Sequence, residues 1–192
     1  MDSEAFCEVF DSLDREIWLI TARAGDRQSG LIATYVSRVS LVATMPRVTI
    51  GLAKHHFTHE LIQGSKAFCM HLIDEDHIDW VWHFGIPSGR EIDKLRGLET
   101  YSSVTGSPIL AGAMAWLDCR VEAQMDIGDR IVYVAEALDA RMVQTTTPLT
   151  LKRLLDLAPA DHLRQMNLAV ERDIDLDRTA ILEWRRQQAL GG

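Results

Sequence analysis

The longest regular pattern in the chain is an alternation of apolar and mostly polar residues over Ala113–Asp126. A period of two is typical of a β-strand that has one face on a core and the other toward solvent. Gly128 and Asp129 then give a turn signal, and a second β-type run follows over Ile131–Leu138. We therefore predict that the two runs pair as a long antiparallel hairpin.

Further β-type runs precede this hairpin, with few helical segments between them. Strands are predicted at Ile17–Ala22, Gly30–Val39, Val48–Leu52 and Lys66–Ile73, and short helices at Thr58–Gln63 and Asp76–Phe84. Strands that follow one another without crossover helices favour an antiparallel barrel over a parallel βαβ sheet. The predicted fold class is therefore mainly β (α+β), an antiparallel barrel with short peripheral helices.

The chain changes character after Thr145. Helices are predicted at Leu149–Leu157, from Pro159 and Asp161 onward, and at Asp177–Leu190. Their leucine-rich stripe must pack either on the barrel or on a second subunit. The predicted organisation is a barrel domain over residues 1–144 and a helical C-terminal extension over residues 145–192.

The net charge of −8 lies in the first 144 residues, because the remainder carries seven basic and seven acidic side chains. Such an acidic domain argues against sequence-independent nucleic-acid binding, although one phosphate-bearing ligand needs only a local basic cluster. No run approaches the roughly 18 apolar residues of a membrane span. Three widely spaced cysteines favour neither a disulfide framework nor a zinc site. We therefore expect a cytoplasmic protein with no nucleic-acid or membrane partner.

The segment Gly30–Ser40 ends a β-type run in hydroxyl residues, and a second strand follows after Pro46. Hydroxyls and free N–H groups at strand ends suit a flat, hydrogen-bonding ligand that carries phosphate. Taken alone, Thr34, Ser37 and Ser40 are more often ordinary strand-end residues. The segment by itself leaves both interpretations open.

This segment is similar to the motif of the flavin reductase-like family, roughly Gly-Met-Thr-Ala-Ser-Ser-Phe-x-Ser-Val-Ser. Lys54–Ile62 resembles the family's Asn/Lys-x-x-x-Thr-x-x-Leu-Ile, and Phe68–Leu72 stands where the family has Phe-Ala-Val-Asn-Val. Later matches follow in the family's order at Phe84-Gly85, Asp93–Leu95, Gly106–Leu110, Leu117–Val121 and Gly128–Arg130. The resemblance covers about residues 17–141. Its wording is nearest to the flavin reductase-like domain of cyanobacterial diflavin proteins.

The resemblance implies an FMN-binding split β-barrel that forms a homodimer with each flavin at the subunit interface. It implies an oxidoreductase that passes reducing equivalents from NAD(P)H through flavin, FMN in preference to FAD, to a flavin, metal or protein acceptor. The flavin would carry out the redox step while the protein supplies geometry and hydrogen bonds. The alternative is a non-catalytic FMN-binding electron-transfer or sensor protein. A purely structural module would leave the purified protein colourless.

The resemblance places the flavin on two segments. Its contact residues would be Ala33, Thr34, Tyr35, Val36, Ser37, Arg38 and Ser40 in the first segment, and Lys54, His56 and Thr58 in the second. The second segment lies where a strand meets a helix N-terminus, a place suited to anions. We therefore expect the flavin phosphate near Lys54 and Thr58.

Two further positions bear on chemistry. His71 stands where the family usually has Asn and is the candidate proton donor to reduced flavin, although a lone polar residue in a strand is more often structural. Arg130 replaces the family's usual His, which puts any carried-over role for that position in doubt. No metal site is predicted, because His55 and His59 have no further ligands at a suitable spacing.

Overall fold

The protein, as a computed structural model, is described over residues 3–191. Its strands are β1 (Trp18–Ala24), β2 (Arg27–Ala33), β3 (Val36–Arg38), β4 (Arg47–Ala53), β5 (Ala67–Leu72), β6 (Thr100–Tyr101), β7 (Ile109–Leu110), β8 (Ala115–Asp126) and β9 (Arg130–Met142). Its helices are α1 (Ser3–Asp11), α2 (Phe57–Ser65), α3 (Ile78–Gly85), α4 (Leu151–Leu157) and α5 (Ala160–Gly191), with a 3-10 turn at Glu75–His77.

Seven strands form one antiparallel sheet in the order β2-β1-β5-β8-β9-β4-β3. The two edge strands, β2 and β3, are joined by only Thr34 and Tyr35. The sheet must therefore curl until its edges approach each other, with a split between them. The antiparallel split barrel predicted from the sequence is confirmed.

The interior of the curled sheet is filled by its own side chains and by α2. Ile20, Ile50, Phe68 and Tyr133 are fully buried there. The apolar side of α2 packs into the same cluster, because Leu61 and its neighbours face β1 and β2. Burial of large apolar side chains, at about 1.5–3 kcal/mol each, is the main stabilising contribution to this barrel.

The β8–β9 hairpin is present, but its pattern of burial differs from the predicted one. The first half of β8 is buried on both faces, including Trp116 and Asp118. The second half of β8, from Glu122 on, is exposed on both faces. The loop before β7 covers the outer face, since Asp118 accepts hydrogen bonds from the N–H and hydroxyl of Thr105. Two irregularities in the pairing of β8 with β9 further disturb the alternation.

Several predicted element bounds are wrong. The run predicted as one strand over residues 30–39 is divided into β2 and β3, because the chain crosses there from one edge of the sheet to the other. The last two predicted helices are a single 32-residue helix, α5, since no proline or glycine interrupts it before Gly191. Helix α1 was not predicted. The predicted boundary at residue 144 stays a prediction.

The C-terminal helices pack on the chain's own barrel. Leu154 of α4 is buried, and α5 crosses the β8–β9 turn, where a Cβ on Gly128 would meet the Trp184 side chain at 2.9 Å. Gly128 therefore permits the close approach of α5 at this point. Among the described helices, none combines the length and apolarity needed to cross a membrane.

Candidate functional site

Two cavities lie near the two-residue link between β2 and β3. We call the first the polar cavity; it has about 400 Å³ and lies between Gly30–Ile32, His55–Thr58, Phe84–Glu91, Lys94 and the face of α5 at Arg172, Asp173 and Leu176. We call the second the apolar cavity; it has about 630 Å³, and Trp18, Val36–Arg38, Met70, Leu72 and Leu117 are among its lining residues. The motif segment thus runs from one cavity to the other.

Lys94 is the most unusual residue of the polar cavity. It is only 5% exposed, and its Nζ donates to the carbonyl oxygens of Phe84 at 2.6 Å and Gly30 at 3.1 Å. Within the described residues it has no ion pair with a carboxylate. Burial lowers the pKa of Lys94 to about 8. A buried ammonium with a third N–H and no counter-ion is a favourable partner for an anion in the cavity.

The glycine of the motif makes this arrangement possible. A Cβ on Gly30 would lie 2.8 Å from the Phe84 ring. The absence of a side chain therefore lets the end of α3 pack against β2. This close packing places the carbonyls of Gly30 and Phe84 where both accept from Lys94.

The N-terminus of α2 forms another wall of the polar cavity. Thr58, in the first turn, is 2% exposed and lines the cavity. His56 occupies the N-cap position but makes no side-chain capping hydrogen bond. The N–H of His59 donates to the His56 carbonyl, and the N–H groups of Phe57 and Thr58 have no side-chain cap. Burial, and next the neighbouring His55, lower the pKa of His56 to about 4. The wall therefore presents helix N–H groups, a hydroxyl and a neutral imidazole.

The C-terminal helix covers one side of the polar cavity. Asp173 lies 3.3 Å from Nε2 of His55. One turn further on, Asp177 forms an ion pair with Arg130. Burial, the largest cause, raises the pKa of Asp177 despite this arginine. The cavity therefore combines cationic groups with carboxylates from a distant part of the chain.

The apolar cavity receives the other end of the motif segment. Val36, Ser37 and Arg38 line it, opposite Trp18 of β1 and Met70 of β5. Arg38 donates from Nε to the carbonyl of Ser40 at 2.7 Å. Its guanidinium therefore stabilises the following loop and has one fewer donor for a ligand.

The structure does not bring all the predicted contact residues into one cavity. His56 and Thr58 line the polar cavity, and the three residues of β3 line the apolar one. Ala33, Thr34 and Tyr35 lie between them, with the Tyr35 ring flanked by Arg15 and Arg130 at 5.7 and 5.1 Å. Ser40 lines neither, and its hydroxyl accepts from the N–H of Val42.

Lys54 does not point to the polar cavity. Its Nζ lies 2.6 Å from both carboxylate oxygens of Asp126, at the tip of β8. The predicted phosphate contact from Lys54 is therefore not supported by the geometry. The buried cation of the cavity, Lys94, is not among the predicted site residues, although the Asp93–Leu95 match marks its position.

His71 has no access to either cavity. Its side chain is fully buried in β5, with Nδ1 3.1 Å from the carbonyl of Leu19 and Nε2 accepting from the N–H of Leu110 at 3.0 Å. Burial lowers the pKa of His71 to about 4. Both ring nitrogens are thus used by the main chain of neighbouring segments. The geometry supports a structural role for His71 and does not support a role in proton transfer.

Comparison with known proteins places the chain in a family. The model described as "Flavin reductase like domain" matches residues 10–154, about three quarters of the chain. The chain therefore belongs to the flavin reductase like domain family. The resemblance predicted from the motifs is confirmed.

Three curated relatives illustrate the range of lengths among proteins similar to this chain. The ferric-chelate reductase (NAD(P)H) of Archaeoglobus fulgidus is 28% identical over 152 residues, which are 78% of this chain and 86% of that protein. The high molecular weight rubredoxin of Moorella thermoacetica is 28% identical over 78% of this chain but only 64% of its own length. A diflavin flavoprotein of Synechocystis matches over 22% of its length. Some relatives are thus much longer than the region they share with this chain.

A solved structure shares the architecture. Nitrilotriacetate monooxygenase component B from Mycobacterium thermoresistibile superposes with a TM-score of 0.68 at 26% identity, over 78% of this chain and 82% of that one. The two chains therefore share the overall architecture on which the cavities of this chain are built.

Proposed function

We propose that this protein is a flavin-dependent oxidoreductase that binds FMN with its phosphate in the polar cavity. Hydride from NADH or NADPH would reduce the flavin, which would pass electrons to a flavin, metal or protein acceptor. The observation that carries this proposal is Lys94, a buried cation that has no carboxylate partner among residues 3–191. It lies on the wall of a cavity that the α2 N-terminus also lines. Family membership supplies the flavin chemistry.

The cavity favours a phosphate for three independent physical reasons. Lys94 offers an N–H and a positive charge in a place with little water. The uncapped first turn of α2 offers backbone N–H groups and the positive end of a helix dipole. Thr58 offers a hydroxyl beside them. Together these donors match the several acceptor oxygens of a phosphate monoester.

The isoalloxazine ring would then extend from the polar cavity along Ala33–Tyr35. These residues form the end of β2 and the link to β3, at the split of the barrel. The Tyr35 carbonyl already accepts from the N–H of Gly51 at 2.9 Å, so the flat ring would hydrogen-bond the main-chain groups of this segment that face away from the sheet. Such bonds at the flavin edge tune its reduction potential. His71 takes no part in this proposal.

The first experiment is the visible spectrum of the purified protein, followed by titration with FMN, FAD and riboflavin. We expect a yellow protein, or stoichiometric uptake of FMN with tighter binding than riboflavin, because only FMN brings a phosphate monoester to Lys94. A colourless protein that takes up none of the three flavins would refute the proposal. Equal affinity for FMN and riboflavin would show that the phosphate does not bind in the polar cavity.

Anaerobic mixing with NADH and NADPH then separates an enzyme from an electron carrier. A reductase bleaches its bound flavin with one of the two nucleotides and is reoxidised by ferric chelate, free flavin or a protein acceptor. A carrier or sensor is bleached by a chemical reductant only. The acceptor, and the preference between NADH and NADPH, follow from the same measurements.

We also propose that the protein is a homodimer in the cytoplasm. Two clusters of exposed apolar side chains are consistent with an interface to a second subunit. They are Phe6, Val9 and Phe10 on α1, and Leu41, Val42 and Met45 in the loop after β3. Leu41 is 93% exposed, and apolar groups of this kind often mark interfaces. A two-fold copy is the commonest closed arrangement, and the loop after β3 adjoins the proposed flavin segment.

Sedimentation at micromolar concentration tests the dimer. Leu41→Glu places a charge in the proposed interface and should shift the protein to monomer, whereas Val104→Glu, at another exposed apolar position, should not. A wild-type monomer that still binds flavin tightly would contradict the dimer without affecting the flavin proposal.

A further inference from the structure

His55, His56 and Asp173 form a cluster that the flavin proposal does not use. One ligand atom from each lies within 4.8 Å of the others, and in the part of the chain that the structure describes no other trio of His, Cys, Asp or Glu does this. The two histidines precede α2, and the aspartate comes from α5, more than a hundred residues later in the chain. All three are partly buried at the wall of the polar cavity.

We propose that these three residues bind a divalent transition-metal ion. Two imidazoles and one carboxylate, with remaining positions open, form a common ligand set for zinc and for non-haem iron. Tetrahedral ligands about 2.1 Å from a metal lie about 3.4 Å from one another. The 3.3 Å between Nε2 of His55 and Oδ1 of Asp173 agrees with that spacing.

The orientation of His55 favours a metal over a simple hydrogen-bonded pair. Its Nε2 is buried and has no hydrogen bond of acceptable geometry, although the Asp173 carboxylate is close. An ion pair maintained by an N–H would align that bond, whereas two ligands of one ion face a point between them. The rings of His55 and His56 lie 4.4 Å apart between centroids, close enough to serve one ion.

The surrounding charges leave room for the ion. Arg172 donates to Oδ1 of Asp173 from Nε at 3.1 Å and from Nη2 at 3.0 Å, and the ion would replace these two hydrogen bonds. The Arg172 side chain is 64% exposed, so it can move into solvent. Asp177 lies 3.9 Å from Nδ1 of His55, and its charge is already paired with Arg130. The polar cavity supplies space for water or a ligand oxygen at the open positions. Bound there, the ion would clamp α5 to the start of α2.

The test is a titration of the full chain, purified with chelator and free of flavin, with Co²⁺ and with Zn²⁺ alone. Calorimetry gives the affinity and stoichiometry, and the visible absorption of Co²⁺ gives the ligand geometry. We expect one ion per chain. Asp173→Asn and His56→Ala should each weaken Co²⁺ binding by at least about tenfold. Even substitutions of residues that only hydrogen-bond to metal ligands weaken metal binding by about 10- to 100-fold.

Matched variants separate this site from adventitious binding. Asp175→Asn lies two residues away on α5 and removes a carboxylate paired with the exposed Arg178, so Co²⁺ affinity should not change. Arg172→Ala should leave the affinity unchanged or raise it. Failure of wild type to bind, or equal binding by wild type and Asp173→Asn, would overturn the proposal. Flavin uptake is measured in separate samples, so that failure of the metal site and of the flavin site can be told apart.

Discussion

The polar and apolar cavities lie at the two ends of one motif segment, yet they are built in different ways. The apolar cavity is formed mainly by side chains of neighbouring strands, such as Trp18, Val36 and Met70. The polar cavity gathers Lys94 from a loop, the start of α2 and a face of α5. Strand periodicity therefore accounts for the apolar cavity, whereas the charges of the polar cavity come together only through long-range packing. Substitutions in each cavity distinguish which of the two binds the flavin.

The largest effect is expected from Lys94→Met. Loss of a hydrogen bond to a charged group costs about 1.5–3 kcal/mol, which corresponds to about a 10- to 150-fold weaker FMN affinity by calorimetry. Arg38→Met, in the apolar cavity, is the matched control and should change the FMN affinity little. If Arg38→Met proves the more damaging variant, the phosphate lies in the apolar cavity instead.

His71→Asn should lower stability and leave turnover intact, because His71 reaches neither cavity. Leaving the carbonyl of Leu19 and the N–H of Leu110 poorly paired should reduce the free energy of unfolding by about 1–3 kcal/mol in urea. A fall in kcat with a changed pH profile, in protein that is fully folded, would restore a proton-transfer role for His71.

FMN affinity should depend on pH through Lys94. Burial lowers the pKa of this group to about 8 in the flavin-free protein, and the phosphate binds its protonated form. The affinity for FMN should therefore be highest below pH 8. Above pH 8 it should fall by at most about tenfold, or about 1.4 kcal/mol, per pH unit. Riboflavin binding should lack this dependence, and so should FMN binding by Lys94→Met. A flat FMN profile in wild type would argue against contact with Lys94.

The same group affects stability with the opposite sign. The folded-state pKa lies below the ordinary value of 10.5, so the unfolded chain binds the proton more tightly. The contribution of Lys94 to the free energy of unfolding should therefore rise as the pH increases from about 8 to 10.5. Denaturation of wild type and Lys94→Met at several pH values isolates this contribution.

The smallest effect is expected from Lys54→Ala. Its partner Asp126 is half exposed, and such surface pairs contribute about 0–1 kcal/mol. FMN affinity should therefore change by less than about fivefold. A loss as large as that of Lys94→Met would show that Lys54 leaves Asp126 to contact the phosphate when flavin binds.

The family, the antiparallel class of the sheet and the hairpin of β8 and β9 can all be predicted from the amino-acid sequence. These follow from local patterns: a period of two, turn residues at Gly128-Asp129, and short motifs in a fixed order. It also indicated Thr58 and the helix N-terminus as an anion site, since that property belongs to the helix alone. It did not indicate the break between β2 and β3, because a crossing from one sheet edge to the other depends on how far the whole sheet curls.

Which charged side chains contact each other depends on the three-dimensional packing of the chain. Lys54 and Lys94 both lie within motifs that match the family, but Lys54 pairs with Asp126 on the surface, whereas Lys94 is buried with no carboxylate partner among the described residues. His71 reads as a candidate acid until its two ring nitrogens are found on main-chain groups. Asp173 joins His55 only because α5 continues as one helix across the barrel. Such pairings depend on distances between residues far apart in the chain, and no local pattern specifies them.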